Sequence, residues 1–269
     1  MVTFPNCKIN IGLHVVQKRK NGQHNIETAI FPIPFNDVLE IIPSRDEKTT
    51  LTTTGIAIDA EDNLCLKAFY LLQKDYHLPA VKIHLHKVIP ARAGLGSGSS
   101  DAASTLILLN DIFNLGLSPF QLFDYGSQLT SDCSFFLFNK PCIATGLGES
   151  MEVIRFSLSS YKILLINPGI SINEMEVYQN IVPQLPSKEI KDILQQPVST
   201  WKEDLKNDLE EIVFSQCAEI KSIREELYNR GAVYASLNGS SSTVFGIFHP
   251  DTIDFRLNEN YFHHWVTLS

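Results

Sequence analysis

Residues 90–103 read PARAGLGSGSSDAA, with glycine at 94, 96 and 98 and serine at 97, 99 and 100. A stretch so poor in side chains can enter positive φ and bring several backbone N–H groups to one anion, and a helix after it adds the positive end of its dipole. Alone, such a stretch reads equally as a flexible linker. Its flanks favour the phosphate-binding reading. Upstream, VKIHLHKVIP puts Val81, Ile83 and Leu85 on one side of a half-buried strand. Downstream, Ala102, Leu106, Leu109 and Phe113 form a helical stripe, with Asp101 expected in the first turn and Gly116 just past the end. Strand, glycine-rich loop and helix together predict a nucleotide phosphate site.

Two familiar phosphate loops are excluded. A Walker loop needs lysine and then Ser or Thr after its last glycine, but Gly98 is followed by Ser99, Ser100 and Asp101. The dinucleotide spacing G-x-G-x-x-G fails because these glycines are each two apart and no early N-terminal strand feeds them.

With 269 residues, 44% of them hydrophobic, the chain can bury a substantial core. Its net charge of −8 gives nucleic acid or anionic lipid no sequence-wide attraction, although a local basic phosphate site is compatible with it. The N-terminus does not resemble a signal peptide and no apolar run reaches the roughly 18 residues of a membrane span, so a cytoplasmic protein is expected. Cys7, Cys65, Cys133, Cys142 and Cys217 are scattered without a C-x-x-C pair, which reads as reduced thiols. His84 and His86 share a strand face that reads as solvated rather than metal-binding, and His263 and His264 would point oppositely.

The N-terminal region reads as a hairpin: KINIGLHVV, a turn holding Asn21 and Gly22, then HNIETAIFPI. Ile9, Ile11, Leu13 and Val15 line one face of its first strand, and Lys8 and Asn10 project together from the other, as an exposed polar face or as a binding pair. A strand follows at DVLEIIP, then LTTTGIAID, the polar AEDN and a helix from about Leu64 to Tyr76. Ser118 and Pro119 signal the start of another helix, which carries the chain to Ser131 and Asp132. SFFLF and ATGLGE read as strand and turn, and KILLINP as a buried strand. PSKEIKDILQQ and the run from Glu203 to Gly231 read as polar helices, before the small-residue segment SLNGSSSTVFGIF. The shift in composition places a domain boundary near 155, giving domains 1–155 and 156–269.

The loop resembles the PxxxGLGSSS signature of the GHMP kinases. Two further segments extend the resemblance over nearly the whole chain: CKINIGLHVVQKRKNGQHNIET, and Asn238, Gly239, Ser240, Ser241, Ser242. Landmarks at Glu61 to Leu64, Ser131 to Phe136 and Asn167 to Ile172 agree with it. The N-terminal hairpin is similar to that of the branch that phosphorylates the cytidine diphosphate ester of methylerythritol. The resemblance implies an α+β fold of two domains, an N-terminal one like domain 2 of ribosomal protein S5 and a C-terminal ferredoxin-like α/β sandwich. It implies transfer from ATP, with Mg²⁺, to the 2-hydroxyl of that small molecule, by a monomer or weak homodimer.

Residue by residue, the resemblance makes Asp132 the catalytic carboxylate and Lys8 its partner. It gives the nucleotide phosphates to Pro90, Ala91, Arg92, Ala93, Gly94, Leu95, Gly96, Ser97, Gly98, Ser99 and Ser100, and adenine to Asn63. Asn10 would bind the erythritol portion, His24 the cytosine, and Tyr178 would stack on the base. Ser100 and Asp101 are candidates to hold Mg²⁺. The chain departs from the family pattern at Gln23, where a tyrosine is usual and an amide would cover the base, and at Ser241, where a glycine is usual and a positive φ would be unfavourable. Cys7 and Cys133 adjoin Lys8 and Asp132, either as buried fillers or with one thiol lining the cleft.

Overall fold

The computed structural model describes residues 1–58 and 62–268, so Glu61 of the EDNL landmark lies outside the described residues. In chain order the elements are β1 (Val2–Thr3), β2 (Asn6–Lys18), β3 (His24–Asn36), β4 (Val38–Pro43), β5 (Thr50–Gly55), α1 (Leu64–Tyr76), β6 (Val81–Lys87), α2 (Ser97–Ile112), α3 (Pro119–Leu129), α4 (Ser131–Phe138), β7 (Cys142–Gly146), β8 (Ser150–Val153), β9 (Lys162–Asn167), α5 (Glu174–Asn180), α6 (Ile190–Leu194), α7 (Trp201–Asp204), α8 (Glu210–Gln216), α9 (Ala218–Asn229), β10 (Tyr234–Leu237), β11 (Val244–Phe248) and β12 (Phe262–Thr267). This is the α+β architecture expected. It divides into two compact units that interleave along the chain: Met1–Cys7, Phe35–Ala91 and Gly96–Lys140 form the first, and Lys8–Pro34, Arg92–Leu95 and Pro141–Ser269 the second.

The first unit is a four-stranded sheet in the order β1-β4-β6-β5, covered by α1 to α4. β5 and β6 are parallel, which requires the crossover that α1 supplies. Leu39, Ile41, Ile83 and Leu85 from the strands meet Phe69, Leu72, Leu106 and Leu109 from the helices in one buried cluster. Local signals set the helix ends. Ser118 and Gln121 form a reciprocal capping box at α3 with Pro119 first in the helix. Thr130 caps the start of α4, and Asn139 ends it in the left-handed conformation at φ 51°. SFFLF, expected as strand, therefore lies in a helix: its unbroken apolar run has no period to separate the two, and the caps decide. His84 and His86 hydrogen-bond Thr52 and Thr54 on the neighbouring strand.

The second unit has two four-stranded sheets, β2-β3-β7-β8 and β10-β11-β9-β12. Leu13 and Val15 of β2 pack with Leu164, Ile166, Val213, Ile223 and Leu227. The hairpin between β2 and β3 closes as expected, with Arg19 N donating to Gln23 O at 2.7 Å and Gly22 at φ 86°. The polar run from Glu203 breaks at 205–209 and again at Cys217. Asn207 accounts for the first break, since its Nδ2 donates to Leu237 O (3.0 Å) and Gly239 O (2.7 Å) and its Oδ1 accepts from Leu209 N. Helix α5 and strand β12 were not legible, the one only seven residues long and the other half-buried along most of its length. Among the described residues no helix is long and apolar enough to cross a membrane.

Candidate functional site

The glycine-rich loop uses its glycines in two different ways. Gly94 and Gly96 take φ of 72° and 71°, and Arg92 joins them at 55°. Gly98, by contrast, is helical: α2 starts at Ser97 behind Gly96, with no side chain capping it. Its first-turn N–H groups and positive dipole end are thus presented without a built-in anion. This earlier start also moves Asp101 out of the first turn, which contains no acidic residue.

In the first unit, Ser99 links the start of α2 to the start of α4. Its hydroxyl lies 2.8 Å from Thr130 Oγ1, and its carbonyl accepts from Cys133 Sγ at 3.3 Å. Asp132, in the first turn of α4, is thereby carried on a helix pinned to the phosphate loop's end. Cys133 is fully buried, and burial pushes its thiol up to about 11. Cys7 is fully buried as well, so both thiols are fillers rather than cleft-lining groups. Asn63 is the N-cap of α1, its Oδ1 accepting from Cys65 N at 2.8 Å. Neighbouring Leu64 lies against Gly98, where an added Cβ would come within 3.4 Å.

Asp101 is 2% exposed and bonded to Lys87 at 2.8 Å, with its other oxygen buried and without a partner. A carboxylate closed to solvent beside an ammonium does not fit Mg²⁺, which gives up its water reluctantly. Burial pushes the Asp101 carboxyl above its ordinary range, against the opposing pull of Lys87. Ser100 is likewise 2% exposed. No three His, Cys, Asp or Glu side chains converge as metal ligands among the described residues.

In the second unit, three segments distant in sequence meet on one asparagine. Asn238 is fully buried; its Oδ1 accepts from Asn10 N at 2.7 Å and its Nδ2 donates to Gly94 O at 3.0 Å. Thr243 adds a bond to Ala93 O at 2.6 Å, and Leu95 O accepts from Lys8 N at 3.0 Å. The N-terminal strand, the loop tip Arg92–Leu95 and the C-terminal small-residue segment are therefore one hydrogen-bonded body. Lys8 and Asn10 are buried, at 6% and 8%, which removes the exposed-face reading. Lys8 Nζ donates to Asn10 Oδ1, and Asn10 Nδ2 donates to Thr28 Oγ1, which in turn donates to Gly12 O. Thr28 and Thr243 were not singled out from sequence. A buried hydroxyl on an otherwise apolar strand face is the signal that could have marked Thr28.

Ser241 is not at positive φ; Gly239 is, at 62°. The serine fills space that Gly94 leaves open, since a Cβ on Gly94 would stand 2.2 Å from Ser241 Oγ. Its hydroxyl donates to Asn238 O and accepts from Thr243 N, so it completes the turn rather than straining it.

His24 opens β3 and stacks on Tyr178 of α5, with ring centroids 5.6 Å apart and planes 27° from parallel. The ring is buried and its Nε2 has no hydrogen-bond partner. Burial, aided by the charge of Lys18, holds its pKa below the ordinary imidazole value. Gln23 is exposed in the hairpin turn, where its side chain accepts from Asn21 Nδ2.

Comparison with known proteins matches these features. The family pattern described as GHMP kinases N terminal domain matches residues 63–140, and that described as GHMP kinases C terminal matches 190–261. A 4-diphosphocytidyl-2-C-methyl-D-erythritol kinase of Bacteroides thetaiotaomicron is 48% identical over 93% of each chain. One of Cytophaga hutchinsonii is 47% identical over 96% of each. A crystal structure of 4-(cytidine 5'-diphospho)-2C-methyl-D-erythritol kinase superposes with a TM-score of 0.76 at 28% identity, covering 92% of this chain and 90% of that one. The mevalonate kinase of Methanococcus jannaschii shares the fold, with a TM-score of 0.72 at 13% identity over 100% of this chain and 98% of its own. A capless helix behind a twice left-handed glycine loop, joined through Asn238 to the N-terminal and C-terminal motifs, together with these likenesses, places the chain in the GHMP kinase family.

Proposed function

We propose that the chain transfers the γ-phosphoryl group of ATP to the 2-hydroxyl of 4-(cytidine 5'-diphospho)-2-C-methyl-D-erythritol, giving the 2-phosphate and ADP in non-mevalonate isoprenoid biosynthesis. The observation that carries this acceptor is the His24–Tyr178 pair, a buried imidazole with an unpartnered nitrogen beside an aromatic face. A pyrimidine offers both a π-face to stack and ring-edge atoms to hydrogen-bond, the two things this pair supplies.

In this reading the 2-hydroxyl oxygen forms a new bond to the γ-phosphorus as the bridge to the β-phosphate breaks and ADP leaves. Asp132 accepts the hydroxyl proton, and Lys8 stabilises negative charge developing on the acceptor oxygen. Asn10 orients the erythritol hydroxyls and also shares the Lys8 ammonium. The first turn of α2 and the loop before it bind the phosphates, and Asn63 the adenine. Mg²⁺ bound along with ATP would supply charge neutralisation at the triphosphate, and Asp101, buried against Lys87, would not hold it. With Gln23 engaged by Asn21, cytosine stacks on one aromatic face only. Domain 1–155 carries the nucleotide site together with Lys8, Asn10 and His24 of the acceptor site, and domain 156–269 adds Tyr178, in a cytoplasmic monomer or weak homodimer.

ADP release tests the reading. The cytidylylated acceptor should turn over, whereas methylerythritol phosphate without the cytidylyl group, mevalonate and homoserine should not. Equal turnover of mevalonate would overturn it.

A further inference from the structure

The glycine-rich loop is held at its tip by Asn238, Thr243 and Lys8 in the second unit, as described above. Its two ends are held differently, inside the first unit. Strand β6 finishes at Lys87, and the next two backbone N–H groups have no ladder partner on which to continue. Both are taken by Asp37, whose Oδ1 accepts from Val88 N at 2.6 Å and Ile89 N at 2.9 Å. The other Asp37 oxygen accepts from Lys87 Nζ, and the same ammonium reaches Asp101 Oδ2 at 2.8 Å. Asp37, Lys87 and Asp101 are all buried, with exposures of 0%, 2% and 2%.

Val88 and Ile89 lead directly into Pro90, while Asp101 follows Ser100 in α2. One lysine therefore fastens the entry of the loop to its exit. The geometry points to Lys87, Asp37 and Asp101 as positioning residues for the nucleotide: a buried ionic clasp that fixes where the first turn of α2 stands relative to the strand end that feeds it. This rests on the phosphate-loop reading above, and deepens it. None of the three touches solvent to any extent, so their action is through the backbone they anchor.

The physical case lies in what replaces the clasp when it is broken. Without the ammonium, Asp101 has no partner and Asp37 keeps only the Val88 and Ile89 N–H groups, so breaking the clasp leaves buried charge uncompensated. Packing alone leaves the helix start freer, because its first residues are Ser, Gly, Ser and Ser and carry little side-chain volume. Phosphate recognition by backbone N–H groups depends on where those groups point, and small misplacements are costly.

The test uses the full-length protein with Asp101→Asn and Lys87→Met, compared with Leu109→Ala, a core truncation in the same helix. Binding of a non-hydrolysable ATP analogue with Mg²⁺ is measured by calorimetry, and amide exchange is followed at residues 97–100. Both clasp variants should weaken the analogue by about tenfold or more and speed that exchange, with the acceptor KM moving less than about twofold. Leu109→Ala should lower the Tm without weakening the analogue. Unchanged affinity and exchange in Asp101→Asn, or equal weakening by Leu109→Ala, overturns the proposal. Asp101→Asn keeps the residue's shape, so it decides the matter if Lys87→Met does not fold. A wild-type protein that fails to bind the analogue sinks the phosphate-loop reading instead, and the exchange measurement still reports on the clasp.

Discussion

The two units organise their functional residues with opposite chemistry. Around α2 the first unit buries full charges, one lysine between two aspartates. Around Asn238 the second unit relies mainly on amides and hydroxyls: Asn10, Thr28, Asn238, Ser241 and Thr243. Charges in a dry interior tolerate no loss of a partner, whereas a neutral network degrades bond by bond. The first arrangement fixes the strand end and helix start it joins, and the second ties three distant segments together through neutral bonds.

The contrast can be broken most directly at Lys87. Lys87→Met leaves Asp101 without a partner and Asp37 with only its backbone donors, and should cost about 3–5 kcal/mol in urea unfolding, against about 1–3 kcal/mol for Asn238→Ala. Equal losses would erase the distinction between the units. Chemistry should come next in size. Asp132→Asn and Lys8→Met should each lower kcat by about a hundredfold or more with an unchanged circular dichroism spectrum, and full activity in either removes the proposed mechanism.

Gly94→Ala sharpens the picture of the neutral network. It meets both a steric conflict with Ser241 and a left-handed φ, for a loss of about 1–3 kcal/mol. Adding Ser241→Gly should recover the steric part only, leaving about 1 kcal/mol, and complete recovery would show that φ is no constraint there. The smallest effect expected is at His24. Its lowered pKa means that the folded ring stays neutral where a free one would charge. As pH falls through about 6.5 the unfolded chain binds the proton first, so His24 makes the fold less stable in acid. The acceptor KM should be flat above about pH 7 and rise only well below it, and His24→Gln should flatten that rise.

Much of the first unit was legible because its signals are local. Ser118 with Pro119, and the polar stretch before Leu64, each act within a few residues of themselves. Helix α1 and the start of α3 fall where those signals put them. Asp101 was misplaced by a turn because serines and glycine, poor evidence for a helix, are its first residues. The body around Asn238 was legible only as three separate motifs. Its bond to Asn10 spans 228 positions, and nothing local in either asparagine announces the other. Ser241 shows the same limit from the other side: a residue that looked like a flaw in its own loop is the complement of a glycine elsewhere.

That complementarity has a consequence for anyone exchanging parts between such enzymes. A C-terminal segment borrowed from a homologue with glycine at position 241 would leave a gap beside Gly94 and remove the hydroxyl that caps Asn238 O and Thr243 N. A borrowed segment carrying anything bulkier would not seat at all. The two stretches behave as lock and ward, and have to be transplanted together.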